Sequence, residues 1–197
     1  MRSVTVKFNA ETAIELSFAT VIDGKESQLF EAYFPKVIPI VAEFGGTPMG
    51  SFAIGQSASK LGSPKMGAFF QWPDPDSFQK LHEDPRFLAI RSIRDDALSF
   101  FSNANFFCVE EDTEVIFEEG QEYALVAEWE ALENEVQSDP SSLVRLTPAP
   151  GTANEAYRPA QIHIARWNEK CERALEEAKL GQAGTRDVFK FAMYMPA

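Results

Sequence analysis

The stretch Met66 to Phe101, MGAFFQWPDPDSFQKLHEDPRFLAIRSIRDDALSFF, constrains the architecture more than any other part of the chain. Met66, Ala68, Phe70 and Trp72 alternate as they would along one face of a strand. Asp74-Pro75 then marks a helix start. The carboxylate can accept from free amides of the first turn, and proline at the first helical position loses no hydrogen bond. Asp84-Pro85 repeats the device, so the segment reads as a strand followed by a helix in two steps. The spacing predicts that this helix runs to about Phe101 and that Asn103 to Val109 returns as a strand.

Upstream, Val4, Val6 and Phe8 alternate, and so do Ile14, Leu16 and Phe18, before the turn dipeptide Asp23-Gly24. The period then lengthens. Phe30, Tyr33, Phe34, Val37, Val41 and Phe44 recur at helical spacing, although Pro35 and Pro39 require a kink or a regular start near Pro35. Gly45-Gly46 provides the stop, and Gly50 to Gly55 reads as the next strand. Strand, helix, strand, strand, helix, strand over residues 13 to 110 predicts an α+β fold. The expected form is a ferredoxin-like βαββαβ antiparallel sheet with its helices on one face.

In the remainder, Tyr123 to Trp129 and Ser142 to Leu146 suit strands, and Thr147 to Pro159 suits a loop. Ile162 and Ile164 suggest a strand ending at Trp167, and Asn168 caps a charged helix to Leu180. Phe189, Phe191, Met193 and Met195 alternate in a last strand. QIHIARW followed by a helix and a strand has the same order as GAFFQW, with Trp167 standing where Trp72 stands. The expected division is therefore residues 1–110 as a ferredoxin-like domain and 111–197 as a second α+β half packed on it. That half is either a degenerate repeat of the first or an unrelated piece with ordinary α+β order.

Charge narrows the function. The net charge of −12 is carried by residues 110–139, which hold twelve Asp or Glu and no Lys or Arg. Phosphate recognition needs clustered cations, so a nucleic acid partner is excluded. EEDTE, Glu110 to Glu114, lacks the spacing of a calcium loop and reads as a solvated run. No segment approaches the ~20 apolar residues of a membrane helix, and the start shows no leader. Cys108 and Cys171 stand apart with no paired spacing, which suggests reduced thiols and a cytoplasmic location. No nucleotide, zinc or serine-hydrolase motif occurs, and no metal or cofactor is expected.

The helix carrying Tyr33 and closing in FGG, the strand GAFFQWPD and the segment EDPRFLAIRSIR resemble a domain family of unknown function in the dimeric α/β-barrel superfamily. In that family an aromatic residue follows the proline by two positions and an arginine lies near the end of the helix, here Phe87 and Arg94. The aromatic is usually tyrosine, and phenylalanine removes its hydroxyl. The resemblance covers residues 13–110. It implies sheet-to-sheet packing, supplied by a partner chain in a homodimer or by the second half of this one. It also implies relatives among cofactor-independent monooxygenases and isomerases, haem-handling enzymes and sensory domains.

Projected on a helix, Phe87, Ile90, Ala97, Leu98 and Phe101 form one stripe, with Arg94 in its middle and Arg91 at its edge. A cation among apolar neighbours must find an anion. Either Arg94 faces a pocket and holds an anionic ligand group, or it makes a structural ion pair or reaches water along its stem. His82, at the junction of the two helical pieces, is either a general base or an exposed helix-end residue. Tyr33 is a core tyrosine or an acid, and His163 points away from Ile162 and Ile164. The expected pocket lies between sheet and helices, lined by Tyr33, Phe70, Trp72 and Phe87, with Arg91, Arg94 and His82 adding polarity. The function expected from it is binding of a small anionic or aromatic compound, as in a cofactor-independent enzyme of the monooxygenase or isomerase kind. The alternative is a non-catalytic interaction or structural module whose acidic segment meets a basic partner.

Overall fold

The computed structural model describes residues 2–130, 142–150, 157–181 and 185–195. In chain order it holds β1 (Ser3–Phe8), β2 (Ala13–Val21), a π-helical turn (Gln28–Tyr33) running into α1 (Phe34–Glu43), β3 (Thr47–Ala58) and β4 (Met66–Trp72). Then come α2 (Pro75–Glu83), α3 (Pro85–Asp95), β5 (Leu98–Ser102), β6 (Phe106–Cys108), β7 (Thr113–Glu118) and β8 (Tyr123–Glu128). β9 (Ser142–Pro148), β10 (Gln161–Arg166), α4 (Glu169–Lys179) and β11 (Arg186–Met193) complete it.

The ferredoxin-like sheet expected from the βαββαβ order is not what forms. The strands run β4-β3-β11-β8-β10-β9-β6-β2, and β2 pairs again with β4, so eight antiparallel strands close into a barrel. An open sheet over residues 13–110 would leave β3 and β6 as edges, with unpaired amides and carbonyls. Here β11 pairs along β3 and β9 pairs with β6, so strands from both halves of the chain share one hydrogen-bonded wall. The halves are joined edge to edge along these two seams, and their inner faces meet across one interior.

Alternation along each strand gives the barrel an inside and an outside. Leu16, Phe18, Phe52, Phe69, Phe189 and Phe191 fill the interior and are fully or almost fully buried. Gly67 is required by this packing, because a Cβ there would sit 2.3 Å from the Phe52 ring. β1 and β7 pair as a separate ribbon that adds Val6, Phe8, Val115 and Phe117 to the same core. β7 begins at the end of the acidic run Glu110 to Glu114, whose carboxylates are exposed as expected; its alternating Val115 and Phe117 make it a strand. The part of the acidic stretch 110–139 at 131–139 lies outside the described residues, as does 151–156 of the expected loop.

A second apolar layer forms outside the barrel, where α1, α2 and α3 cover β2 and β4. Local sequence positions these helices as expected. Asp74 accepts from the Ser77 amide at 2.7 Å, and Asp84 accepts from the Arg86 amide at 2.8 Å. Pro35 stands in the first turn of α1, and Pro39 is tolerated inside it. The helix ends in a Schellman turn: Gly45 has φ +79°, its amide donates to Ala42, and the Gly46 amide donates to Val41. α3 departs from expectation. It stops at Asp95, and Leu98 to Ser102 is a strand, so Ala97, Leu98 and Phe101 do not belong to a helical stripe.

Candidate functional site

The outer layer is incompletely filled. A partly enclosed cavity of about 100 Å³ lies between the barrel wall and the helices. It is of the same order as an engineered cavity of about 150 Å³ that takes one benzene. Glu15, Ser17 and Ala19 of β2 and Ala68, Phe70 and Trp72 of β4 form its floor. Tyr33, Val37 and Val41 line it from the first helical segment, Phe78 and His82 from α2, and Phe87 and Arg94 from α3. Of the residues selected from sequence, Tyr33, Phe70, Trp72, His82, Phe87 and Arg94 meet at this cavity. Arg91 does not; it lies at the surface, with its Nε 3.1 Å from Asp95. His163 is on β10, where its Nδ1 lies 3.4 Å from the Ser142 hydroxyl, away from the cavity lining.

Arg94 is only 7% exposed, and it is both paired and surrounded by rings. Its Nε and Nη2 donate to one oxygen of Asp95, at 2.9 and 2.7 Å. The guanidinium carbon stands 4.5 Å from the centre of Phe101, 5.8 Å from Phe87 and 5.9 Å from Tyr33. The anion that a buried cation needs is thus the neighbouring residue, while the planar face rests on aromatic quadrupoles. Burial raises the Tyr33 hydroxyl above its ordinary value, and Arg94 offsets part of that rise.

His82 sits between two rings, 4.2 Å from Phe78 and 4.6 Å from Phe87, centre to centre. Burial, reinforced by the charges of Arg94 and Arg91, lowers its pKa to about 4. The imidazole is therefore neutral at pH 7 and keeps one donor and one acceptor nitrogen. Among the described residues neither nitrogen has a hydrogen-bond partner.

The sequence reading missed Glu15. This carboxylate is 5% exposed, on the strand face beneath the helices. Trp72 Nε1 donates to one oxygen at 2.9 Å, and the Ala104 amide donates to the other at 3.3 Å. Ala104 holds a left-handed φ of 60° in the link between β5 and β6. Burial pushes the Glu15 pKa up to about 7, against the hydrogen bonds from Trp72 and Ala104 and the charge of Arg94. The signal was present: if Ile14, Leu16 and Phe18 face a core, then Glu15, Ser17 and Ala19 face the opposite side. The helices were expected on one face of the sheet without that face being specified, and Glu15 is the charged member of the set they cover.

Among the described residues no group of three or more His, Cys, Asp or Glu could hold a metal ion. No described helix is long and apolar enough to cross a membrane. Among the described residues Cys108 and Cys171 form no disulfide.

No protein-family model matches the chain, and no curated protein matches its sequence. Solved structures do match. A protein described as "anthrone oxidase-like" superposes with a TM-score of 0.53 at 13% identity, over 95% of this chain and 94% of its own. A "putative monooxygenase" from Lactobacillus acidophilus matches at a TM-score of 0.44 and 8% identity, over 95% and 100% of the two chains. One from Fusobacterium nucleatum gives 0.42 and 9%, over 95% and 92%. At these identities the first likeness speaks to the fold alone.

Proposed function

We propose that this chain binds a compact aromatic or anionic molecule in the cavity between barrel and helices, and acts on it without a cofactor, in the manner of a monooxygenase or an isomerase. One observation carries the reading: an aromatic layer that otherwise excludes solvent leaves a cavity where Glu15, His82 and Arg94 converge. Apolar walls with a few convergent polar groups of shifted pKa are what small-molecule sites look like. Phe70, Trp72, Phe78 and Phe87 offer ring faces and edges, and the unpartnered nitrogens of neutral His82 offer hydrogen bonds. Fold analogy with the protein called anthrone oxidase-like points the same way, as analogy only.

The rival, an acidic docking module, finds less support. Glu114, Glu118, Glu119, Glu122 and Glu128 pair with Lys7, Arg166, Arg2, Lys190 and Arg186 of the same chain. Asp112 accepts from the Ala10 amide. Those carboxylates are already matched by internal donors.

Thermal shift against a panel of small phenols and carboxylates tests the proposal. Ala68, half-buried on the cavity floor, is the position to fill. At least one compound raises the melting temperature of the unaltered protein and leaves that of Ala68→Trp unchanged. Equal shifts in both proteins, or no shift with any compound, would overturn it.

A further inference from the structure

Glu15 is a buried carboxylate with unused bonding capacity beside an open space. An ionised carboxylate accepts about four hydrogen bonds. Here Trp72 and Ala104 supply one each, and among the described residues Glu15 makes no ion pair. Arg94, the nearby cation, is committed through Nε and Nη2 to Asp95. A desolvated acceptor with lone pairs left over, on the floor of a cavity, is arranged for a donor that the chain does not itself provide.

Resting on the binding reading above, we infer that Glu15 is the proton acceptor of this site, and that it takes the proton of an aromatic hydroxyl on the bound molecule. In that step the ligand O–H bond breaks and a carboxyl O–H bond forms on Glu15. The electron pair stays on the ligand oxygen, whose negative charge falls within the field of Arg94. No other reactant is needed.

The remaining groups around Glu15 favour it as the acceptor. Tyr33 comes from the π-helical turn, His82 from α2, Arg94 and Asp95 from α3, Trp72 from β4 and Asn103 from the β5–β6 link. Trp72 and the guanidinium only donate. Asp95 is held below its ordinary value, because the bonds and charges of Arg94 and Arg91 outweigh its burial. His82, at about 4, is about a thousandfold weaker as a base than Glu15 at about 7. A proton leaving a ligand hydroxyl near neutrality therefore goes to Glu15.

The probe is 4-nitrophenol, whose hydroxyl titrates near neutrality and whose anion absorbs in the visible; 4-nitroanisole, with no such proton, is the control. If probe and Glu15 share one proton, the affinity of 4-nitrophenol peaks near pH 7 and falls toward tenfold per pH unit on either side. Glu15→Gln, which stands in for the protonated carboxyl, removes the alkaline-side fall and keeps the acid-side one, while 4-nitroanisole binds the unaltered protein with no such peak. In the unaltered protein, binding also brings up the infrared band of a protonated carboxyl. The inference is overturned if 4-nitrophenol binds the protein and Glu15→Gln with the same pH profile, or if that band does not appear. If neither compound binds the unaltered protein, the binding reading falls and this inference with it.

Discussion

At the scale of single residues, the outer layer concentrates groups whose ionisation is displaced by burial, and this has a pH signature. An unfolded glutamate titrates near 4.5, whereas Glu15 in the fold titrates at about 7. Its contribution to stability is complete below the unfolded value. It is lost as pH rises, because the unfolded chain ionises first, and it is gone above about 7. His82 runs the other way: its contribution is present above 6.5 and is lost as pH falls toward about 4. The two slopes oppose each other between 4.5 and 6.5, so the unaltered protein is nearly flat there. Replacing Glu15 with Gln removes a pH-dependent contribution on the order of 3 kcal/mol. The variant is then expected to gain stability with pH up to 6.5 and to stay level beyond it. Urea unfolding at several pH values checks this; parallel curves for the two proteins would refute it. Arg94 could be singled out because a cation is unusual among apolar helix neighbours, and His82 because it stands at the junction of the two helical pieces. Glu15 could not be selected from alternation alone, since that pattern is indifferent to which strand face is covered.

At the scale of elements, the local rules worked wherever one residue decides an end. The two Asp-Pro pairs start α2 and α3 at the expected residues, and the paired glycines stop α1. The end of α3 was misjudged because the apolar spacing of Ala97, Leu98 and Phe101 fits a helix as well as a short strand. Periodicity cannot separate the two over five residues. The consequence for the site is small, since Phe101 reaches the guanidinium of Arg94 from β5. Asp84 does more than cap. It also binds Arg86, which bridges to Glu43 at the end of α1. Asp84→Ala should therefore cost about 1 kcal/mol for the cap and loosen α3 against α1. Asp74→Ala should cost a similar amount. Both are expected to weaken ligand binding, the former more, because α3 carries Phe87 and Arg94 and is tied through Arg86 to α1, whereas α2 carries Phe78 and His82. Matched denaturation and binding measurements on the two variants separate the effects, and equal binding by both would count against this linkage.

At the scale of the whole molecule, closure was hidden from the sequence for a physical reason. Alternation reports that a strand has one buried face, but it says nothing about which chain segment pairs along its edges. Residues 13–110 contain every strand and helix of the expected sheet, yet β3 completes its pairing with β11, from near the end of the chain. β6 likewise pairs with β9. The two stretches, 1–110 and 111–197, therefore share one wall and one interior, in which Phe18 stacks on Phe189 at 4.8 Å and Phe52 meets Phe191 at 4.7 Å. Separating them exposes both rows of backbone groups and half of a phenylalanine-rich core, a combination that favours aggregation over independent folding. The expected outcome is a single unfolding transition for the full chain, with the calorimetric and van't Hoff enthalpies in agreement. Residues 1–110 expressed alone should give poorly dispersed amide resonances or insoluble protein, and co-expression with residues 111–197 should restore a folded complex. A well-dispersed, monomeric spectrum from the first fragment alone would show that the barrel is not the cooperative unit. The outer cavity, built wholly from residues of that fragment, would then be stable without it.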